Sequence, residues 1–546
     1  MTLTKVRNQM ISGAAANVLD FGAVGDGVTD DTAAIQACFD SLAGGEYVVF
    51  PEGTYSVTST VTVPVGCFIF GYGAHLVRTS PGNDQILYVI GTITDVLVAG
   101  LELSGNDTGS QGVGLRFSTC TRATAQDIII HDCWNGSSAI DCSQIIWDGV
   151  QLQDLKAYGV VPTDCDLVIV NNVIAKDFTG PNGAAVESKR CREIVISNVV
   201  IENIKDGSGT GGHGINIRAA DTTATERVAI SNITIDGVDK AGIFCHIDDS
   251  TSSMEGVTVS NVNADDVGFS VIQLTGDSSA PMKQVSVTGV TCTGSALTSP
   301  ASLAYLDVFR VDIIANECRG GVTIKSCNNG VANVILNDCM YGQATAGDEV
   351  LVVGAQGSTD NICNNVHIHG TISRSVDTNG SRAFLVDDGA TVGMKNIQAD
   401  LDIRGFDEAE TVIFDPKTLA IGGNRVRYRL AKEPGDPFNE LEYPVFAASP
   451  GTTGTLAVDV TLPNKVYFGV LTGNITISNP LAPLDGQTLE LSMRQAAASS
   501  FTVTFSYEFK TDFSMGATNN SFNTVTFRYV DAASRWLQVA KAENLT

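Results

Sequence analysis

A short phrase in which apolar and polar residues alternate around a central Asn, Gly or Asp recurs along the chain. A strand–turn–strand unit of this kind cannot bury its inner face alone, so successive units must stack. Asn and Gly suit the left-handed backbone of a tight corner. The pattern predicts a right-handed parallel β-helix. The central residues are Gly100, Asp132, Gly149, Asn172, Asn198, Asn232, Asn261 and Gly289, with fainter copies at Asn316, Asp338 and Gly370.

The pattern near the N-terminus predicts a helix that covers the open end of the first coil. Asp30 or Asp31 can cap a helix over Thr32–Leu42, and Gly44 can end it. An uncovered end would expose unpaired strand edges to other chains.

After about residue 430 the pattern changes. Lys432–Pro437 reads as a linker, and the short alternating runs beyond it predict a β-sandwich. We therefore expect four parts. These are a short segment at 1–16 (an attachment remnant or linker), a capping module at 17–94, a β-helix with the glycan site at 95–430, and a sandwich at 431–546.

Composition narrows the class of partner. Only 17% of the residues are charged, and the net charge is −27. Nucleic-acid binding needs a concentrated basic patch, so we expect no nucleic-acid partner. An acidic polymer could be held only where Lys and Arg gather. No run of 18 apolar residues occurs, so we expect no membrane insertion.

The 13 cysteines are scattered and never form a C-x-x-C motif. This spacing predicts buried thiols rather than disulfides or metal sites. Buried thiols fit a protein that folds in a reducing cytoplasm.

Two sequence segments point to a family. Asn17–Thr32 (NVLDFGAVGDGVTDDT) and Val48–Tyr55 (VVFPEGTY) resemble the pectate-lyase-like module that opens many β-helical proteins. Phage tailspikes that depolymerise bacterial surface polysaccharide are notable members. Leu471–Pro480 and Ser534–Leu537 resemble C-terminal domains of such tailspikes.

The resemblance implies a homotrimer on the phage virion tail, joined to the tail or to another spike or anchor protein. Such a protein folds in the host cytoplasm and acts at the bacterial cell surface on capsular polysaccharide or exopolysaccharide. It implies no cofactor, except calcium if the reaction is that of a lyase. The N-terminus lacks an apolar stretch of signal-peptide length, so we expect release by host lysis.

The strands that follow the marked turns suggest where chemistry lies. On a stacked sheet, equivalent outward residues of successive coils are neighbours. A polar column on an apolar sheet is suited to holding sugars. Aligning SAIDCS, AAVESK, GINIRA, IFCHID and VIQLTG predicts one column of Asp141, Glu187, Arg218, His246 and Gln273, with one coil after Asp141 left unassigned and Asp248 two residues after His246.

Two reactions remain open for this column. Glycoside hydrolysis needs two carboxyl groups, and the alignment places Glu187 and Asp248 roughly 9–10 Å apart, near the limit for inversion. Asp221 and Asp249 are nearby alternatives. A lyase acting on a uronate polymer needs a base and a cation, which His246 and Arg218 would supply.

A further candidate comes from the phrase Gly212-His213-Gly214. It resembles the Gly-His-Gly strand of polygalacturonase-type glycoside hydrolases, in which that His lies in the active site. The aspartate pair of that family is replaced here by Pro181-Asn182, so its acids do not carry over. No nucleophilic triad, phosphate loop or metal site is expected.

The sequence thus predicts a tailspike depolymerase, hydrolytic or eliminative. A non-catalytic receptor-binding spike or adhesin is the alternative from another class. A free-living polysaccharide lyase or glycosidase is the third possibility. Whether the groove lies within or between protomers stays open.

Overall fold

A computed structural model gives the structure of the chain, which divides into two compact units, Met1–Leu306 and Asp307–Thr546. The N-terminal segment before residue 15, the predicted linker and the Pro181-Asn182 pair lie outside the described residues. The described residues are 15–80, 85–105, 112–180, 183–205, 212–293, 299–339, 349–354, 363–374, 382–387, 395–406, 412–414, 425–431, 439–443, 454–457, 465–470, 474–478, 488–494, 501–513, 522–530 and 533–545.

The first unit is a stack of parallel strands in which each strand pairs with its equivalent one coil later. This confirms the predicted all-β parallel β-helix. Besides one α-helix (Thr32–Asp40) and one 3-10 helix (Val18–Phe21), its strands are Ala16–Asn17, Asp26–Asp30, Tyr47–Val49, Gly53–Val57, Val61–Val63, Phe68–Arg78, Gln85–Ser104, Val113–Gln126, Ile129–His131, Asn135–Ile140, Gln144–Asp148, Gln151–Gln153, Tyr158–Thr163, Leu167–Phe178, Ala184–Lys189, Glu193–Ile204, His213–Ala219, Ala224–Thr225, Arg227–Val238, Ile243–Ile247, Ser253–Met254, Val257–Val267, Ser270–Thr275, Met282–Thr293 and Ser299–Ala304.

The core of the stack consists of inward residues that repeat from coil to coil. Ile215 pairs with Ile243, and Ile243 with Ile272, and all three side chains are fully buried. Because strand side chains alternate between faces, the residues between them point outward. The repeated inward column fixes which face of each strand can carry chemistry.

The predicted corners are confirmed throughout the first unit. All eight strong marks have a φ between 53° and 73°. The asparagines also bond to one another, because Asn232 Nδ2 donates to Asn198 Oδ1 at 3.0 Å and Asn261 Nδ2 donates to Asn232 Oδ1 at 3.1 Å. The corners therefore form a hydrogen-bonded asparagine ladder.

The helix at the start is confirmed but is shorter than predicted, ending at Asp40 instead of Leu42. Asp30 Oδ1 accepts the backbone N–H of Thr32 at 3.0 Å. Asp31 makes no side-chain cap bond and instead accepts the N–H groups of Val24 and Gly25. Asp30 therefore stabilises the start of the helix, and Asp31 stabilises the loop that precedes it.

The second unit begins with further parallel coils and ends with two smaller sheets. Its strands are Leu306–Asn316, Val322–Lys325, Asn328–Asn337, Glu349–Gly354, Asn364–Ser373, Arg382–Asp387, Lys395–Arg404, Val412–Phe414, Arg425–Ala431, Asn439–Tyr443, Gly454–Ala457, Lys465–Val470, Ile475–Ser478, Thr488–Arg494, Val503–Phe505, Phe509–Lys510, Phe522–Val530 and Arg535–Leu545.

Two of the fainter copies, Asn316 and Gly370, do not occupy corners, so their prediction as corner residues was wrong. Asn316 ends a strand, and Gly370 pairs with Val334 within one. The asparagine ladder of this unit instead contains Asn329, Asn365 and Asn396, each with a left-handed φ of 53–54°. Asn365 Nδ2 donates to Asn329 Oδ1, and Asn396 Nδ2 donates to Asn365 Oδ1, both at 2.9 Å.

At the C-terminal end, a three-stranded and a five-stranded sheet enclose one core that includes Ile477, Leu491, Phe527 and Trp536. This agrees with the predicted sandwich in kind, but the predicted boundary at 431 was wrong, because Asn439–Tyr443 pairs antiparallel with the β-helix strand Arg425–Ala431. The three-stranded sheet is parallel, which the turn signals did not indicate. Part of the tailspike-like segment 471–480 lies outside the described residues.

All thirteen cysteines are described and all are buried thiols, as predicted. In the described part of the chain, no helix has the length and apolar character needed to cross a membrane.

Candidate functional site

The candidate site lies on the outward face of four strands of the first unit: Ala184–Lys189, His213–Ala219, Ile243–Ile247 and Ser270–Thr275. Their register divides the predicted column into two neighbouring columns. Arg218 pairs with His246, as predicted, and the residue before them in this column is Lys189. Glu187 and Gln273 belong to the second column, two residues earlier on their strands. The prediction that Glu187 and Gln273 share one column with Arg218 and His246 was therefore wrong.

The second column runs through Glu187, Asn216, Phe244 and Gln273. All four side chains still face outward, because a shift of two residues leaves the face of a strand unchanged. The two columns together form one polar surface, which we call the outward groove.

Asp141 does not belong to the groove, so its predicted place was wrong. It occupies a corner with φ of 55°, and its N–H donates to the carbonyl of Thr163 at 3.1 Å. The equivalent corner residues of the next two coils are Asp164 and Arg190, whose side chains form an ion pair at 2.7 Å. Asp141 therefore stabilises a turn outside the groove.

One cluster in the groove joins Arg218, His246 and Asp248. His246 Nδ1 lies 2.7 Å from Asp248 Oδ1, and Arg218 Nε donates to Asp248 Oδ2. Burial lowers the pKa of His246 below its ordinary value, while the charge of Asp248 acts in the opposite direction. The bond to the carboxylate places the proton of the neutral ring on Nδ1 and the lone pair on Nε2.

A second cluster surrounds Glu187, whose side chain is only 6% exposed. Glu187 Oε2 accepts Asn216 Nδ2 at 2.7 Å, and Lys189 Nζ lies 3.5 Å from Glu187 Oε1. Burial raises the pKa of Glu187 against the effect of Lys189. Lys189 Nζ also lies 5.1 Å from the ring centroid of Tyr158, whose pKa burial raises. Tyr158 therefore keeps its hydroxyl proton at neutral pH.

Phe244 joins the two imidazoles of the groove. Its ring stacks on His246 at 4.1 Å between centroids and on His213 at 5.2 Å. Burial lowers the pKa of His213 to about 4, so this ring is also neutral at neutral pH. His213 Nδ1, His246 Nε2 and Asn216 Oδ1 are buried and have no hydrogen-bond partner among the described residues. Buried polar atoms without partners are costly and call for an explanation.

Asp221 and Asp249 take part in turn structure beside the groove. Asp249 accepts four hydrogen bonds from Thr251 and Ser252 and a fifth from the N–H of Asp221. The bond from the Thr251 hydroxyl is the largest of the effects that lower the pKa of Asp249. Asp221 forms an ion pair with Arg190 at 3.1 Å. Asp249 has both oxygens occupied by turn bonds, whereas Asp221 has an exposed side chain with one oxygen paired to Arg190.

The register expected for Glu187 and Asp248 was also wrong. The backbone positions of Glu187 and Asp248 lie two coils apart, about 10 Å, and four residues apart along the strand direction, about 13 Å. This separation of the backbone positions is larger than the roughly 9–10 Å expected from a shared column. Asp248 is moreover engaged by both Arg218 and His246.

Sequence reasoning missed four residues of the groove: Tyr158, Lys189, Asn216 and Phe244. Lys189 and Asn216 lie within strands that had been aligned, each two residues from a candidate, so the correct register would have found them. Nothing in the sequence distinguishes Tyr158 from other tyrosines, because its place beside Lys189 follows from coil-to-coil pairing with the strand Ala184–Lys189.

Comparison with known proteins extends the family resemblance. The family model of rhamnogalacturonase A/epimerase, pectate lyase-like, matches residues 15–87. The opening module is pectate-lyase-like. This match confirms the resemblance expected from Asn17–Thr32 and Val48–Tyr55.

Among curated proteins, mannuronan C5-epimerase AlgE2 of Azotobacter vinelandii is 28% identical over 235 residues, which cover 42% of this chain and 22% of that protein. Alginate lyase 7 of the same organism is 38% identical over 101 residues, covering 18% of this chain and 12% of the lyase. The chain thus spans about a fifth or less of the length of these relatives.

Among solved structures, the tailspike of Escherichia coli bacteriophage HK620 in complex with a pentasaccharide is 12% identical. The match covers 76% of this chain and 81% of that one, with a TM-score of 0.44. The Yersinia enterocolitica family 28 exopolygalacturonase is 13% identical over 60% of this chain and 76% of its own, with a TM-score of 0.41.

Proposed function

We propose that the chain binds an acidic bacterial surface polysaccharide that contains uronate residues and cleaves it by β-elimination. The supporting observation is the Arg218–Asp248–His246 cluster. It places a neutral imidazole, oriented by a carboxylate, beside a guanidinium on the outward face of the sheet. Such a pair can remove the proton next to a carboxylate and stabilise the enolate that forms.

In the proposed reaction His246 Nε2 takes the C5 proton of the uronate. The electron pair moves into the carboxylate as an enolate, which Arg218 and Lys189 stabilise by their charge. The enolate then expels the oxygen at C4, and a C4–C5 double bond forms. Tyr158 donates the proton that the leaving oxygen needs. His246 Nε2 is buried in the free protein, so binding must expose it, and free-enzyme geometry does not exclude such a base.

The relatives support a uronate as the substrate class. The names of the epimerases and of alginate lyase 7 place their action on mannuronan and alginate. Both elimination and C5 epimerisation begin with removal of the same proton. The net charge of −27 means that such a polymer must meet local cations, which the groove supplies at Lys189 and Arg218.

The residue types suit this reaction better than hydrolysis, since Glu187 contacts an amide and a cation, Asn216 and Lys189, and Asp248 is engaged by Arg218 and His246. We assign Glu187 the role of a positioning residue that holds Lys189 and Asn216. His213, which stacks on Phe244, and Gln273, which pairs with Phe244 on the next strand, would bind sugar hydroxyls on either side of that ring. No metal is needed for these steps, although a calcium requirement is open to test with a chelator.

The reaction can be tested by incubating the full chain with uronate polymers and with capsule from candidate hosts. We expect an ultraviolet absorbance rise from the new double bond, together with unsaturated fragments in mass spectrometry. Reducing ends without that absorbance would show hydrolysis and overturn the proposal. Deuterium uptake from heavy water without cleavage would show epimerisation, the second candidate that the relatives favour. Binding without any of these would leave the adhesin function.

Variants assign the roles of the residues. His246→Gln should lower kcat by about 10²- to 10⁴-fold, as for loss of a general base. Arg218→Ala should lower it by about 10²- to 10³-fold, as for loss of an oxyanion partner. Glu187→Gln should reduce activity less, because an amide still accepts the Asn216 bond. Complete loss in Glu187→Gln with full activity in His246→Gln would instead support a carboxyl-based hydrolase.

Two variants provide matched controls. His369→Gln removes an exposed imidazole beside Asp400, and Arg192→Ala removes an exposed guanidinium that pairs with Asp166 and Glu226. Both should retain full activity, and circular dichroism should confirm that every variant folds.

We further propose that the chain acts as a homotrimeric tailspike on a phage virion, joined to the tail or an anchor protein. Its sequence resemblance to phage spikes at both ends supports this assignment. Light scattering should give a mass of about 172 kDa, three times the chain mass of 57.3 kDa. A monomer mass at micromolar concentration would contradict the trimer and would leave the reaction chemistry unaffected.

A further inference from the structure

Three potential metal ligands from separate coils meet on the outer surface of the first unit. His75 lies in strand Phe68–Arg78, Glu102 in strand Gln85–Ser104, and His131 at the end of Ile129–His131. His75 pairs directly with Glu102, and His131 pairs with Ser104, two residues beyond Glu102. The three side chains therefore belong to three consecutive layers of the stack.

We propose that His75, Glu102 and His131 bind a divalent first-row transition-metal ion of the Zn²⁺ type. The ligand atoms all lie within 4.8 Å of one another. Glu102 Oε1 is 3.0 Å from His131 Nε2 and 3.8 Å from His75 Nε2. A tetrahedral ion with bonds of about 2.0 Å holds its ligands about 3.3 Å apart. The two observed distances lie on either side of that value and the third pair lies within 4.8 Å, so small side-chain movements would bring the three atoms to tetrahedral spacing.

The surroundings of His131 also fit a metal ligand. Its Nδ1 lies 2.7 Å from Asp132 Oδ2, and Asp132 is held at a corner with φ of 55°. A carboxylate on one ring nitrogen fixes the tautomer and directs the other nitrogen's lone pair to a metal. Here that other nitrogen is Nε2, the atom that faces Glu102. Ser104 Oγ lies 2.7 Å from His75 Nε2. Metal binding at this nitrogen would replace that hydrogen bond, and the serine hydroxyl is uncharged and can rotate away.

Exposure and ligand type identify the class of ion. The two imidazole side chains are 25–26% exposed and that of Glu102 is 40% exposed, so the site is open to solvent on one side. A water molecule can therefore complete the fourth position. Imidazole ligands favour zinc, nickel, copper and iron over calcium or magnesium, which prefer oxygen ligands.

A bound ion would tie three coils together where the capping module, which contains His75, meets the following β-helix coils. It shares no residue with the outward groove, so we assign it a structural role. Removal of this ion, with calcium kept in the buffer, should therefore leave the polysaccharide activity unchanged but lower the melting temperature. An ion that binds only the folded state raises stability by mass action.

Calorimetric titration of the chelator-treated full chain with zinc chloride tests the proposal. We expect one ion per chain at this site. Affinity should fall at least tenfold in His75→Gln and in His131→Gln, and by about 10- to 100-fold in Asp132→Asn, which removes the orienting carboxylate. His369→Gln is the matched control and should bind as the parent does. Cobalt(II) should give the intense visible absorption bands of a tetrahedral site. Calcium chloride should not displace the bound cobalt ion.

Two results would overturn the assignment. One is zinc affinity that stays the same in the double variant His75→Gln/His131→Gln, with folding verified by circular dichroism. The other is the absence of saturable zinc binding by the parent chain, which would leave the three side chains as a hydrogen-bonded cluster only. Neither result bears on the elimination chemistry of the groove.

Discussion

His246 is kept neutral by its surroundings, although a carboxylate lies beside it. Burial lowers the pKa of the ring, and the Asp248 charge raises it by less than burial lowers it. The nearby Arg218 charge also lowers this pKa. A neutral ring with its Nδ1 proton held by Asp248 is ready to accept a proton at Nε2. The chemistry of this residue thus depends on a balance between neighbours rather than on histidine itself.

Removing the opposing charge should shift that balance in a known direction. In Asp248→Asn the pKa of His246 falls further, because burial and Arg218 then act without the carboxylate. The base is active in its neutral form, so activity is lost as pH falls through its pKa. The acid limb of the kcat/KM profile should therefore move to lower pH, with a reduced plateau because the ring is held less firmly.

A pH series on the parent and the variant measures this shift. Asp166→Asn, which alters an exposed carboxylate paired with Arg192, is the control and should leave the profile in place. An acid limb that stays fixed or moves to higher pH in Asp248→Asn would show that this carboxylate does not control the base.

At the scale of the structural element, the corners are defined by backbone conformation and by side-chain bonds together. Asn232 has φ of 56° and both donates to Asn198 and accepts from Asn261. Asn tolerates the left-handed region better than most residues, and its amide supplies one donor and one acceptor per coil. The repeated Asn thus contributes both to the turn and to the cohesion between coils.

Two substitutions at Asn232 separate these contributions. Asn232→Gly keeps the left-handed backbone and should cost about 1 kcal/mol of unfolding free energy, from the lost ladder bonds. Asn232→Ala adds roughly 1 kcal/mol more, because alanine is strained at this φ. Urea unfolding monitored by circular dichroism measures both. Equal stability of the two variants would contradict a backbone contribution.

At the scale of the whole molecule, the cysteines are buried in successive coils along most of the stack. All 13 are buried, spread from Cys38 to Cys363. Buried thiols are shielded from both oxidants and reagents. Burial raises the pKa of several of them, including Cys67 and Cys245, to about 12.

A thiol reagent should therefore distinguish the folded from the unfolded protein sharply. We expect almost no reaction with the native chain over minutes and 13 reactive thiols in guanidinium chloride. Rapid reaction of several thiols in the native protein would show that coils open locally. Comparison of early and late phases would identify which part of the stack opens first.

The sequence determined the fold because its information is local and repeated. The alternation of apolar residues sets which face of each strand is buried, and each marked Asn or Gly sets a corner. Neither feature needs knowledge of distant residues. The same argument predicted buried cysteines and the helix that begins at Thr32, although the helix end was displaced by two residues.

The tertiary structure alone decided the register within the groove. A two-residue shift of a strand keeps every side chain on its own face, so alternation cannot detect it. Loops of unequal length precede the strands of Glu187 and Gln273, and their lengths decide which residues become neighbours. For the same reason, three ligands spaced a full coil apart at His75, Glu102 and His131 carry no recognisable motif. The sequence determines the faces of the strands, and coil stacking determines which outward side chains meet.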